Sequence, residues 1–156
     1  MHNVPVEDES GDGCLTFLVR HAWLSMRTAV AGALAEHGLS VAQYGTLLFL
    51  DGQPGCTVAE VARKVGTARQ SANEMLAGLE RAGLIERRAH PHDRRSQQVF
   101  ITPAGRDRIA AATPAVSEAE TQLEIDFTDA DRATVRRWLT SMTESAAESP
   151  EEFSTH

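Results

Sequence analysis

Between Thr67 and Arg81 the chain carries Arg69, Gln70, Ser71, Asn73 and Glu74 within a segment whose apolar residues Ala72, Met75, Leu76 and Leu79 recur at helical spacing. Gln70, Asn73 and Glu74 fall opposite the apolar stripe and near the start of the helix that the spacing predicts. The carboxamides of Gln70 and Asn73 each hold a donor beside an acceptor, the pair that matches the edge of adenine, while the fork of Arg69 suits guanine or a phosphate. The hydroxyls of Thr67 and Ser71 suit phosphate oxygens, and a helix start adds free backbone N–H groups. Glu74 fits less simply, since a carboxylate near phosphates is repelled unless it accepts from a cytosine amino group or pairs with an arginine.

A second polar group lies at Asp93, Arg94 and Arg95, just after His90-Pro91-His92. The segment reads as the tip of a hairpin, because Leu84 to Arg87 and Gln97 to Ile101 have strand-like patterns on either side of a turn. An arginine such as Arg94 on a hairpin tip suits the narrow, strongly negative minor groove of A·T-rich DNA. His90 and His92 form an H-x-H with no third ligand nearby, so a plain turn is expected and no metal site. Catalytic signatures are missing: there is no G-x-S-x-G, no H-E-x-x-H and no phosphate-cradling glycine loop, and no enzymatic activity or cofactor is expected. Cys14 and Cys56 have neither zinc-ligand spacing nor a disulfide framework, and reduced thiols are expected.

The elements that must hold these groups can be read from apolar periodicity and from start and stop signals. Leu15, Leu18, Val19, Ala22, Met26, Ala29, Val30, Ala33 and Leu34 predict a long amphipathic helix ending near Gly38. Ser40 is a good N-cap for a second helix, carrying Tyr44, Leu47, Leu48 and Leu50, that stops at Gln53-Pro54-Gly55. Thr57 and Glu60 have the capping-box spacing and open a short helix that ends at Gly66, after which Thr67 is expected to cap the helix described above. Two helices joined by one glycine turn spell helix-turn-helix, and the hairpin that follows makes the order of a winged helix. Thr102-Pro103 opens another long helix, which Pro114 should kink or interrupt, and Thr128 with Asp131 opens a last one bearing Val135, Trp138, Leu139 and Met142.

The chain has 156 residues, 42% hydrophobic and 24% charged, which fits one folded domain and argues against wholesale disorder. Its formal charge is −7, but residues 57–108 carry +4 and the remainder −11. Fourteen of the fifteen basic residues are arginine, so the basic middle is well supplied with the fork that phosphates and base edges accept. No apolar stretch is long enough to span a membrane, and Glu7, Asp8, Glu9 and Asp12 stand where a secretory signal would be basic; a cytoplasmic location without membrane contact is expected.

The segment from Leu39 to Arg106 resembles the MarR family of bacterial transcriptional regulators. The resemblance is carried by Leu39-Ser40 with Gln43-Tyr44, by the helix-turn-helix, by Gly83-Leu84-Ile85-Glu86-Arg87-Arg88, and by Asp93-Arg94-Arg95 followed by Ile101-Thr102-Pro103-Ala104-Gly105. Ile101 replaces the leucine usual in the wing pattern of the family. The resemblance implies a mostly α fold with a small β-hairpin wing, a winged helix-turn-helix between N- and C-terminal dimerisation helices. On this reading residues 1–12 are a disordered tail, 13–38 a dimerisation helix, 39–102 the DNA-binding region, 103–148 further dimerisation helices and 149–156 a polar tail. The helix and wing residues Thr67, Arg69, Gln70, Ser71, Asn73, Glu74, Arg94 and Arg95 would contact DNA, and a carboxylate–guanidinium pair between Asp93 and Arg95 would fix the wing.

The implied partners are double-stranded DNA with a pseudopalindromic operator, a second copy of the chain and a small-molecule effector. A homodimer is also expected from the length and apolarity of the flanking helices, and it would set two reading helices one duplex turn, about 34 Å, apart. The family commonly releases DNA when a small aromatic acid or an oxidant acts between its dimerisation and DNA-binding parts, which makes a repressor the leading expectation. Arg20, His21, Trp23 and Tyr44 offer a cation, a titratable ring and aromatic walls for such an effector. Cys14, at a helix start, is the candidate for oxidation sensing. A winged helix used for protein contacts is the other alternative, marked by a neutral outer face that the Thr67 helix lacks.

Overall fold

The computed structural model describes residues 14–147, as six helices and three short strands. The expected tails at 1–12 and 149–156 lie outside the described residues. Described residues divide into two compact units, one ending at Glu120 and the other beginning at Thr121.

In the first unit, α1 (Leu15–Ala35) is long and mostly uncovered, with only Val30 and Leu34 buried. α2 (Val41–Gly52) starts at the expected cap: the Ser40 hydroxyl accepts from the Gln43 N–H, and the Gln43 side chain accepts from the Ser40 N–H, at 3.1 and 2.9 Å. α2 buries Tyr44, Thr46, Leu47 and Leu50. The Thr46 hydroxyl donates back to the Ala42 carbonyl at 2.8 Å, which satisfies a buried polar group inside its own helix.

A two-residue strand, β1 (Cys56–Thr57), precedes α3 (Val58–Val65), whose capping box at Thr57 and Glu60 forms as expected. Gly66 sits at φ +69° and ends α3 in a left-handed turn, a conformation costly for residues with a Cβ. α4 (Arg69–Arg81) follows immediately. Its N-cap is Ala68 and not Thr67, and no side chain caps it. The turn places α4 one residue later than the hydroxyl signal suggests, and the Thr67 N–H closes α3 on the Ala62 carbonyl at 3.0 Å.

The hairpin β2 (Ile85–Ala89) and β3 (Gln97–Ile101) pairs antiparallel from Ile85↔Ile101 to Ala89↔Gln97. β1 adds to the far edge of β3 through Cys56↔Val99 and Thr57↔Gln98, giving the sheet order β1-β3-β2. β1 is too short to have a period of its own, and the sequence gives no sign of it. α5 (Pro103–Leu123) begins at the expected proline, with the Thr102 hydroxyl accepting from the Gly105 N–H at 3.1 Å. Pro114 does not interrupt it: the helix runs through from Pro103 to Leu123. One core joins these elements, with Leu34, Leu47, Leu50, Val61, Leu76, Leu79 and Val99 all fully enclosed. Burying each such leucine contributes roughly 1.5–3 kcal/mol relative to leaving it in water.

In the second unit, α6 (Asp129–Ala147) is opened by Thr128 and Asp131, which bond each other's backbone N–H groups at 3.0 and 3.2 Å. The Thr128 hydroxyl and backbone N–H hold the Asp131 carboxyl below its ordinary range. Arg132 and Arg136 both pair with Glu124, at 3.6 and 3.3 Å. Ile125, Phe127, Val135, Trp138, Leu139 and Met142 stay exposed in this unit.

Candidate nucleic-acid interface

The apolar stripe of α4 packs Ala72, Leu76 and Leu79 into the core, which turns the start of the helix outward. Arg69, Gln70, Ser71 and Glu74 are exposed there, and the Gln70 amide donates weakly to the Glu74 carboxylate at 3.4 Å. Glu74 thus has the amide of Gln70, one helical turn away, as its hydrogen-bond partner. Thr67 is half-buried in the turn before the helix.

Arg94 and Arg95 are exposed on the hairpin turn. The turn is built differently from the expectation. Asp93 Oδ1 accepts from the backbone N–H of Arg95 at 2.9 Å, and no carboxylate–guanidinium pair joins these two among the described residues. His90 Nδ1 accepts from the backbone N–H groups of His92 and Asp93, at 3.2 and 3.1 Å. The Asp93 carbonyl accepts from the Ser96 N–H at 3.0 Å. A short side chain accepting from the backbone two residues on is an Asx turn, and it leaves both guanidinium groups available at the tip.

Helix and hairpin border one cleft of about 390 Å³, whose lining includes Arg69, Asn73, Asp93, Arg95 and Ser96, with Thr57 and Val58 at its other side. Asn73 is half-buried, not free at the surface. Its Oδ1 accepts from Arg87 Nη1 at 3.2 Å and its backbone carbonyl from Arg87 Nη2 at 3.1 Å, while Arg87 Nε faces Glu80 at 3.4 Å. The Arg87 side chain is only 14% exposed. The sequence reading missed this residue, although the strand period was a signal: Arg87 shares a face of β2 with buried Ile85. On the other face, the Arg88 guanidinium lies 4.4 Å from the centre of the Phe100 ring and pairs with Glu86.

A second concavity, about 1,060 Å³, is lined by Trp23 and Arg27 of α1, Val41 and Gln43 of α2, Lys64 and Val65 of α3, and Thr67, Ser71 and Met75 around the start of α4. Of the four residues expected to meet an effector, Trp23 lines it. Arg20 and His21 are exposed elsewhere on α1. Tyr44 is buried, with its hydroxyl 3.0 Å from Thr113 Oγ1, and joins α2 to α5 as a core residue. Arg27, one helical turn beyond Trp23, and Lys64 bring the positive charge instead. Cys14 is exposed at the start of α1, where the backbone N–H groups of Thr16 and Phe17 draw its thiol below the ordinary value. Cys56 is buried, donates to the Gln53 carbonyl, and has its thiol pushed up by desolvation and then by Glu60.

Two helices joined by a glycine turn, followed by a β-hairpin wing with exposed arginines, define a winged helix-turn-helix fold. Known proteins are similar to this chain. The MarR family model matches residues 37–96. The HTH-type transcriptional repressor Rv2887 of Mycobacterium tuberculosis is 29% identical over 128 residues, 82% of this chain and 92% of that one. The transcriptional repressor CouR, solved bound to a 23-mer DNA duplex, is 29% identical, with a TM-score of 0.77 over 86% of this chain and 99% of its own. A MarR-family transcriptional regulator from Rhodococcus sp. RHA1 superposes with a TM-score of 0.81 at 25% identity, over 86% of this chain and 95% of that one. The chain is thus similar to the MarR family over residues 37–96 and, over most of its length, to transcriptional regulators at 25–29% identity. No helix among the described residues is long and apolar enough to cross a membrane.

Proposed function

We propose that the chain is a sequence-specific, homodimeric DNA-binding repressor whose hold on its operator is released by a small anionic or aromatic effector. The observation that carries the DNA reading is the shared cleft: exposed Arg69 at the start of α4 and exposed Arg95 on the wing border one concave surface. α4 enters the major groove with Arg69, Gln70, Ser71 and Asn73, the turn at Thr67 meets the backbone, and Arg94 and Arg95 reach the adjacent minor groove. Glu74, held to Gln70, orients that amide without facing phosphate. CouR bound to its duplex supports the reading by likeness of fold and sequence. Measured on a duplex pool, log affinity should fall linearly with log salt with a slope near −0.9 per phosphate neutralised. A flat salt dependence would leave a protein-contact module as the better account.

A second copy is the proposed cover for the exposed apolar residues that each unit carries, Leu15, Phe17 and Leu18 on α1 and Val135, Trp138 and Leu139 on α6. Segments 13–38 and 103–148 would then be the dimerisation helices, and 39–102 the DNA-binding region. The effector belongs in the cavity beside Trp23, with Arg27 and Lys64 drawing an anion and Met75 and Val65 supplying apolar contact. Because that cavity reaches Thr67 and Ser71, a ligand there acts on the same turn that docks α4. It shifts the equilibrium only by its differential affinity for the two states. An aromatic carboxylate should raise Tm and weaken duplex binding, and Arg27→Ala should remove both effects. Exposure and a lowered thiol pKa at Cys14 favour a second trigger, reversible oxidation. A Cys14→Ser chain would then stay on DNA under mild peroxide while the wild type leaves it.

A further inference from the structure

Asn73, on the outward side of α4, has its side chain held by a residue of the neighbouring strand. A free carboxamide at this place would offer a donor and an acceptor together, which selects adenine. Here the oxygen end of the amide is turned to β2, where the nearly enclosed guanidinium of Arg87 donates to Oδ1 at 3.2 Å and to the carbonyl of the same residue at 3.1 Å. Glu80 on the following turns of α4 faces Arg87 Nε at 3.4 Å, so the cation is fixed from the side of the helix as well. Two bonds to one residue fix its rotamer and the plane of its amide, because both Nη atoms of a rigid fork must be matched at once. The amino end lies across Cγ from the oxygen, and Asn73 lines the cleft between α4 and the wing.

We propose that Arg87 is a specificity-determining residue: by holding the Asn73 oxygen, it converts Asn73 from an adenine reader into a one-sided donor. The amide N–H groups then select a base edge that presents acceptors, guanine through O6 and N7 or thymine through O4. Arg87 touches no base itself. It acts through Asn73 and also ties the reading helix to the first strand of the wing, so that helix and wing meet DNA as one piece. The inference rests on the reading of α4 as the major-groove helix.

The test uses the full chain and a duplex that the wild type selects from a randomised pool, with each half-site position replaced in turn by the other three bases. Affinities at fixed salt are compared for wild type, Asn73→Ala, Arg87→Met and the double variant, with Tm measured on each. The position whose preference disappears in Asn73→Ala should be guanine or thymine in the wild type. Arg87→Met should move that preference toward adenine by about tenfold, and in the Asn73→Ala background it should move nothing. A purely structural Arg87 would instead lower Tm and weaken all duplexes alike without changing preference, which overturns the proposal. Adenine as the wild-type choice at that position overturns it too, whether or not Arg87→Met folds. If the wild type binds duplexes without any preference, the reading of α4 fails, and this inference with it.

Discussion

Arg94 stands exposed on a turn whose shape is set by Asp93 and His90 through backbone hydrogen bonds, so its side chain is free of any duty in the fold. Arg94→Ala should weaken duplex binding several-fold at fixed salt and leave the unfolding free energy within about 0.5 kcal/mol of wild type, as for an ordinary surface change. Unchanged affinity in a titration would remove the wing from the interface. Asp93 was legible as a wing-fixing residue, but its partner was not: the family pattern gives the residue types, while the atom that accepts depends on the local dihedrals of the turn. Asn73 illustrates the same limit. Its chemistry was readable, yet its orientation depends on Arg87, fourteen residues away in the chain, which only the pairing of strand and helix brings within reach.

Glu60 gives a residue-scale test with a pH sign. The Thr57 backbone N–H and then its hydroxyl hold the Glu60 carboxyl below the ordinary carboxylate range, with Arg63 and His90 adding smaller attraction. A carboxyl depressed in the folded state stabilises fully above its unfolded pKa, and the contribution is lost as pH falls through the folded value. Glu60→Gln should therefore lower Tm at pH 7, and the gap to wild type should close as pH falls through the lowered folded value and the glutamate takes up its proton. A gap independent of pH would mean that the carboxylate contributes nothing to the cap.

At the scale of elements, helix starts and stops carried most of the information. Ser40, Thr57, Gly66, Pro103 and Thr128 all mark boundaries where local hydrogen bonding decides the outcome. Longer-range pairing was less legible: β1 exists only as the edge partner of β3; at Pro114, the helix continues past the residue without interruption. Thr57→Ala removes the hydroxyl that caps α3 and should cost about 1 kcal/mol, read by denaturant midpoint. Gly105 tests the seating of α5. A Cβ there would collide with the Leu84 carbonyl and stand 2.7 Å from Ile101 Cγ1. Gly105→Ala must push the first turn of α5 off the hairpin, and a loss of about 2–3 kcal/mol is expected from overpacking. A neutral result would show that α5 does not press on the strands as described.

For the whole molecule, the segregation of charge and the uncovered apolar residues have one common account. Acidic ends and a basic middle suit a protein that meets phosphates only through its centre, and the apolar surfaces of α1 and α6 suit burial against a second copy. Leu139→Glu should shift sedimentation from dimer to monomer and cost about 100-fold or more in operator affinity, since two half-sites would no longer be joined. The exposed apolar surfaces of α1 and α6 were foreseeable from helix length and apolarity, whereas the cavity lining was not. Tyr44 was open to either use, core or pocket wall, because aromatic residues serve both, and burial places it in the core.

Selection of duplexes from a randomised pool by the wild-type chain, followed by sequencing, addresses most directly whether two α4 helices read DNA as a symmetric pair. The enriched sequences should form an inverted repeat whose half-site centres lie about one helical turn, 10–10.5 base pairs, apart. A pool that emerges unenriched, or that yields a lone asymmetric half-site, would contradict the account.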